Sequence, residues 1–426
     1  MLPSPQFGAF PQKQMKKFLE IFLGILTAMG GFVEIGELTF ALNAGAKYRY
    51  SLLWVVVLGT LGIIVFGEMA GRIAAVKGQP VFNLIRERAG FGAGLVTLIA
   101  ANVVNLLTCA AEIGGVALVW QLLSGFPYRG LILIALLFFL LTVWFFSFQA
   151  IERVFGLLGL LMVIFIITGI ASGPDWTQAA NGFIPNVPAL TSRQEYFVYF
   201  YFVVALMSSI MLPYETYFYA SGGIEDAWNP ADVKLNRIIV IIGFSLGSAL
   251  AVGLIFVGAH VFMPRQIEAQ LPGTAALATA SVFGRWGLLI AAAGMFFAFA
   301  GAAIETALSG AYNMAQFCGW PWGKYRPPRK AARFNFSWML IFVLAALIML
   351  TGVDPVSIVE YSIIFSVIIL PFTYFPVMLI AGDPTVMGPH ANGTLAKVLG
   401  WFYLVVITLA ALLALPLLII THGGQG

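Results

Sequence analysis

Charge is what this sequence has least of. Acidic and basic residues together make up 9% of the 426 positions, where a soluble domain usually carries about 25%. That scarcity excludes an ordinary water-soluble globule. Cysteine is almost missing too: Cys109 and Cys318 are the two in the chain, and both fall within apolar segments. A disulfide framework is therefore not expected. Histidine is limited to His260, His390 and His422, near span ends or in loops, and no His/Cys spacing of a zinc site occurs. Phosphate loop and nucleophile elbow are absent as well, so an enzyme reading finds no support. The net charge of +4 is small. It reflects loop bias rather than a face for nucleic acid. No polar stretch is long enough to fold as a separate domain.

What the sequence has is hydrophobic length: 61% of its residues are apolar. Eleven apolar spans follow one another, at roughly 17–46, 51–76, 93–123, 130–148, 151–173, 195–221, 234–263, 281–318, 334–352, 355–381 and 396–421. Each is near or above the roughly 20 residues that cross a bilayer. The expectation is an all-α polytopic membrane protein of 11 transmembrane helices, with a polar tail at 1–16 and a single domain over 17–421. The first apolar stretch is too long for a signal peptide and reads as the first helix. With the N-terminus inside, 16 of the 22 basic residues fall in inner segments, among them Lys13, Arg72, Arg88, Arg153, Arg237 and Arg329. The positive-inside bias thus places the N-terminus in the cytoplasm and the C-terminus outside the cell membrane. Between the second and third spans, Gly78 to Arg88 is too short to cross and reads as an amphipathic helix at the inner surface. The long outer loop, about 174–194, holds Gly173, Pro174, Pro185 and Pro188 and should be irregular.

Two spans carry charge where charge is least welcome. The first contains Gly31 and then Glu34-Ile35-Gly36-Glu37 at its centre; the sixth contains Leu212-Pro213-Tyr214-Glu215. A carboxylate at mid-depth costs several kcal/mol or more. Proline removes a backbone hydrogen bond, and glycine weakens a helix. Charge at a helix break suggests unwound backbone lining a site. The two interrupted spans are five apart. Two five-helix halves of opposite orientation, about 17–173 and 195–381, would form an inverted repeat with the site between them. The span at 396–421 would be an addition.

Glu34 and Glu37 are candidate oxygen ligands for a cation, against a structural pair bonded to another helix. Glu215 is a third ligand or gate, or else a cap for amides freed by the break. Glu112, in the third span, is a proton relay or charge partner, or a carboxylate bonded to a neighbouring hydroxyl. Glu305, in the eighth, shows no partner in the sequence and is read as structural, as tuning the site, or as lining it. Glu68, near the inner surface, should pair with a basic residue. Tyr196, Tyr199 and Tyr201 fit an interfacial belt, while Tyr214 and Tyr219 flank the break and could line a vestibule or simply pack.

The pattern resembles the Nramp family of metal-ion transporters, from about residue 17 to 421. The resemblance is carried by Asn43-Ala44-Gly45 with Tyr50-Ser51-Leu52-Leu53-Trp54, by Gly71-Arg72, Gly78 and Ile85-Arg86-Glu87-Arg88, by Ala111-Glu112-Ile113-Gly114, and by Leu370-Pro371-Phe372. It implies a secondary transporter with the five-plus-five inverted repeat. The site motifs depart from the family. Its usual Asp-Pro-Gly-Asn reads Glu34-Ile35-Gly36-Glu37 here, and its Met-Pro-His reads Leu212-Pro213-Tyr214. The metal-binding Asp and Asn then map to Glu34 and Glu37, the Met to Leu212, and metal-binding carbonyls to Gly31 and Ser209. A second family histidine maps to Tyr219, an acidic pair of the third helix to Cys109 and Glu112, and a glutamine of the tenth to Ile369.

Thioethers favour soft or borderline metals, whereas carboxylates and carbonyls suit Mg²⁺, Ca²⁺ and Mn²⁺. The substitutions move the site toward hard ions. Three close carboxylates in a dry space cannot all stay ionised, so at least one should hold a proton that an arriving cation expels. The leading expectation is a secondary transporter for Mg²⁺ or Mn²⁺, in which protons take part. The alternative is a carrier of a small organic solute, an amine or amino-acid-like molecule, on the same fold without metal. A sensor or scaffold without transport is the third reading. A monomer in the lipid bilayer, with no cofactor and no nucleic acid, completes the expectation.

Overall fold

The computed structural model describes residues 34–267 and 272–425, so Gly31 and the start of the first span lie outside the described residues. Among the described residues the regular structure is entirely helical. Ten helices or broken helices there are long and apolar enough to cross a membrane. They fall in order on the second to eleventh spans read from the sequence. The chain is an integral membrane protein.

The first span enters at α1, Ile35–Tyr48, which at 1.5 Å per residue is about 21 Å long and falls short of a full crossing. There follow α2, Leu53–Lys77, α3, Val81–Ser124, α4, Tyr128–Phe145, and α5, Phe148–Ala171. After the short α6, Trp176–Gly182, come α7, Arg193–Ile210, and α8, Pro213–Glu225. The chain closes with α9, Val233–Val257, α10, Pro272–Cys318, α11, Ala332–Leu350, α12, Pro355–Gly382, and α13, Thr394–Thr421.

Local chemistry sets several boundaries. Ser147, Ser192 and Asp354 accept from amides of the first turns of α5, α7 and α12, which satisfies donors that have no partner inside the helix. Gly78 (φ 59°) and Gly125 (φ 69°) end α2 and α3 in the left-handed region. Gly90 (φ 83°) kinks α3, so a short helix does precede the third span, as the sequence suggests. Its Val81, Phe82, Leu84 and Ile85 are buried in the bundle, and only its polar side faces out. The eighth span begins earlier than its apolar run: α10 starts at Pro272 and is kinked at Gly284.

The outer loop is less irregular than its glycine and prolines suggest. Asp175 accepts from the amides of Thr177 and Gln178, each at 3.0 Å, and starts α6. The tyrosine belt is also corrected. Tyr196 is exposed, but Tyr199 and Tyr201 are fully buried, and the Tyr199 hydroxyl donates to the Asn186 carbonyl at 2.7 Å. Glu68 pairs with Arg72 at 3.0 Å and Arg237 at 3.2 Å, as expected. Cys109 is a buried free thiol and Cys318 an exposed one.

Helix α3 packs against both α10 and α12, and α1 lies against α7 and α9. Where α1 meets α9 the backbones touch. A Cβ on Gly45 would fall 2.1 Å from the Ile255 carbonyl oxygen, and one on Gly258 would fall 2.1 Å from that of Leu42. Only glycine permits such an approach. That contact fixes the later turns of α1 against the end of α9.

Candidate functional site

The site is built from two helix starts and one helix end. Glu34 is extended (φ −100°, ψ 168°) and precedes the first turn of α1. Its carboxylate folds back over Gly36, where a Cβ would fall 2.7 Å from Oε1; the glycine of the motif makes room for the acid. In the other span, α7 stops at Ile210, Met211 and Leu212 leave the helix, and α8 begins at Pro213. The break sits where the proline predicts it. Pro213 has no N–H, so the Ser209 carbonyl loses the donor that a continuous helix would give it.

The start of α1 meets the break between α7 and α8. The Tyr214 hydroxyl donates to Glu34 Oε2 across 3.4 Å, and Ser309 of α10 donates to the Tyr214 carbonyl at 3.2 Å. The Ile35 amide, freed at the start of α1, donates to Glu112 Oε1 at 2.9 Å. Glu112 is therefore bonded to backbone, not to the neighbouring hydroxyl considered from the sequence, and it holds α1 to α3. Glu37, in the first turn of α1, and Glu215, in the first turn of α8, are buried. Among the described residues, neither oxygen of either carboxylate has a hydrogen-bond partner. The capping role weighed for Glu215 is thus not realised.

Tyr214 lies within electrostatic reach of Glu34, Glu215, Glu305 and Glu112, and Glu215 within reach of Glu305, Glu37 and Glu34. Glu305, for which the sequence shows no partner, thus belongs to the same acidic region as Glu215. Among the described residues none of these five carboxylates forms an ion pair with lysine or arginine. Nor is any group of three or more His, Cys, Asp or Glu side chains placed to hold a metal ion among them. Glu34, Glu37 and Glu215 share a region rather than a single point.

Other candidates separate from this region. The Ser209 hydroxyl donates to the Leu206 carbonyl of its own helix at 3.0 Å, which leaves its carbonyl as the group of interest. Leu212 is buried at the turn into α8. Met211 points at α2, where a Cβ on Gly62 would fall 2.6 Å from its sulfur; it does not replace the thioether lost at Leu212. Tyr219 does not face the carboxylates. Its hydroxyl donates to Asn236 Oδ1 at 2.8 Å, and Asn236 donates to the Glu68 carbonyl at 2.9 Å. Gly31 is not described. Sequence reasoning missed Ser309 and also Ser208, whose hydroxyl donates to the Ile363 carbonyl at 2.8 Å and fastens the break to α12. Serines in an apolar span are their only sequence signal.

The family profile of natural resistance-associated macrophage protein-like (Nramp) sequences matches residues 24–416. The chain belongs to the Nramp family. It is 25% identical over 411 residues to the divalent metal cation transporter MntH of Ralstonia nicotianae, covering 91% of this chain and 88% of that one. It is 26% identical over 403 residues to MntH of Deinococcus radiodurans, with 91% and 87% covered. Among solved structures, the Eremococcus coleocola manganese transporter bound to an aromatic bis-isothiourea compound superposes with a TM-score of 0.77 at 19% identity, covering 97% of this chain and 88% of that one. MhsT in complex with L-phenylalanine gives 0.61 at 15% identity, with 94% and 98% covered. In this Nramp chain the altered motif residues Glu34, Glu37, Leu212 and Tyr214 all lie at the two helix starts. What those starts present is oxygen: carboxylates, a phenol and backbone carbonyls.

Proposed function

We propose that this Nramp protein is a secondary transporter of a hard divalent cation, Mg²⁺ or Mn²⁺, through the acidic region between the start of α1 and the α7–α8 break. One observation carries the reading: all four carboxylate oxygens of Glu37 and Glu215 are buried without a hydrogen-bond partner among the described residues. Buried carboxylates need a counter-charge or a proton. Glu37 and Glu215 are the assigned ligands, with Glu34 near them and the carbonyl of Ser209 completing an oxygen set that suits hard ions. A proton held within the carboxylate group leaves as the cation arrives, with Glu112 and Glu305 as its acceptors. Movement of α1, α7 and α8 against the remaining helices opens the site to either side. The relatives named divalent metal cation transporter and the manganese transporter structure support the cargo class. The N-terminus is assigned to the cytoplasm, and the working unit is a monomer.

The test is a flux and calorimetry panel on the purified chain in liposomes. Mg²⁺, Mn²⁺ and Ca²⁺ are compared with amines and amino acids. Saturable uptake of Mg²⁺ or Mn²⁺ is expected, weakened in Glu37→Gln by at least about tenfold, which is about 1.4 kcal/mol. Uptake of an amine or amino acid with no response to divalent ions would replace this reading with the solute carrier. Parent-like Mn²⁺ and Mg²⁺ transport by Glu37→Gln would remove the assigned site.

A further inference from the structure

A cavity of about 540 Å³ lies away from the acidic region, between α2, α9 and the start of α13. Its lining is graded. On α2 it runs from Glu68 back to Ile64, on α9 from Arg237 to Ile241, and on α13 from Thr394 to Leu399. Ion pairing of Glu68 with Arg237 and a hydrogen bond from Thr60 to Ser248 at 2.6 Å show α2 and α9 running antiparallel. A Cβ on Gly62 would also meet Tyr403 of α13 at 3.1 Å. All three helices therefore turn from polar to apolar in the same direction, within about one turn, or 5.4 Å. The polar end is the end rich in basic residues.

The charge at that end is unbalanced. Glu68 faces two arginines. Arg72 is buried and spent: it binds Glu68, Asn392 Oδ1 at 2.6 Å and the His390 carbonyl. Arg237 is different. Its side chain is 61% exposed and gives only Nε to Glu68, and its two terminal nitrogens have no acceptor among the described residues. A guanidinium with two parallel donors free matches the paired oxygens of a phosphate. The apolar wall, meanwhile, is open to the bilayer, with Ile241 52% exposed. A soluble anion would have no use for that wall. A molecule with a phosphate at one end and hydrocarbon at the other would use both.

We propose that this cavity binds one anionic phospholipid at the inner leaflet. The phosphate sits on the terminal nitrogens of Arg237, and an acyl chain runs along Ile64, Ile241 and Leu399. Basic pockets between helices on the cytoplasmic side are suited to anionic headgroups. The inference is independent of what the chain transports.

Native mass spectrometry of the full chain, offered equal phosphatidylglycerol and phosphatidylcholine, tests it. Preferential retention of phosphatidylglycerol is expected, reduced at least about fivefold in Arg237→Gln and unchanged in Arg265→Gln, a basic residue beyond the far end of α9. Ile241→Trp fills the chain path and should lower retention while Arg237 is intact. Millimolar inorganic phosphate should not displace the lipid. Equal retention of the two lipids by the parent overturns the proposal, as does parent-like retention by Arg237→Gln. Displacement by phosphate would make this a site for a free anion instead. Should Arg237→Gln fail to fold, parent-like retention by folded Ile241→Trp refutes the lipid by itself.

Discussion

Glu112 shows how far a single side chain's role depends on partners remote in sequence. Its Oε1 takes the Ile35 amide at the start of α1, 77 positions away. Two substitutions separate this duty from a role of the charge. In Glu112→Gln an amide oxygen remains to accept from Ile35, so thermal stability should stay within about 1 kcal/mol of the parent. In Glu112→Leu the buried amide is left unsatisfied, and about 1–3 kcal/mol should be lost. Equal melting temperatures for the two variants would remove the assigned hydrogen bond. The sequence made Glu34, Glu37 and Glu215 conspicuous, because a carboxylate beside glycine or proline in an apolar span costs too much to be incidental. It hid the neighbours of Glu112 and Glu305, which come from other helices. It misled at Tyr219, since alignment with a family gives the position along α8 but not what faces it. Asn236 of α9 decides that.

Among the elements, α1 is short and depends heavily on its surroundings. Its later turns are fixed by backbone contact with the end of α9 at Gly45 and Gly258, while bonds of Ile35 and Glu34 hold its start. Glycine-rich spans announce close helix contact in general, yet among 45 glycines nothing in the sequence marks these two. The structure does, because the atoms that a Cβ would strike are backbone carbonyl oxygens, which cannot swing aside. Gly258→Ala should therefore destabilise by at least about 1–3 kcal/mol. Gly130→Ala, on α4 with no atom within 4 Å of the added carbon, should be neutral or stabilising by up to about 1 kcal/mol. Thermal unfolding of both in one detergent makes the comparison, and equal stability would contradict the α1–α9 contact. The break between α7 and α8 was legible for the opposite reason: Pro213 acts through local chemistry, so its effect is written where it occurs. Helix α6 was missed although its signal is local too. Asp175 two and three residues before amides it can accept from is a helix-start pattern, obscured by the prolines around it.

At the scale of the whole molecule, the order of the spans was readable because hydrophobic length is a sum over many residues and forgives local error. Orientation rests on a weaker sum, the uneven sharing of 22 basic residues between two sides. The two thiols offer a direct check. Cys109 is buried and Cys318 is exposed at the end of α10, so the native chain has one accessible thiol. The loop that follows, with Lys324, Arg326, Arg329, Lys330 and Arg333, is the most basic in the protein. Positively charged loops stay on the cytoplasmic side. An impermeant maleimide should therefore leave Cys318 unlabelled in intact cells and label it after permeabilisation. The paired variant Cys318→Ser with His422→Cys, at the opposite end of the bundle, should react without permeabilisation. The reverse pattern would invert the protein in its membrane. It would also move the Arg237 cavity to the outer leaflet, and the phospholipid proposed there would have to be drawn from that leaflet.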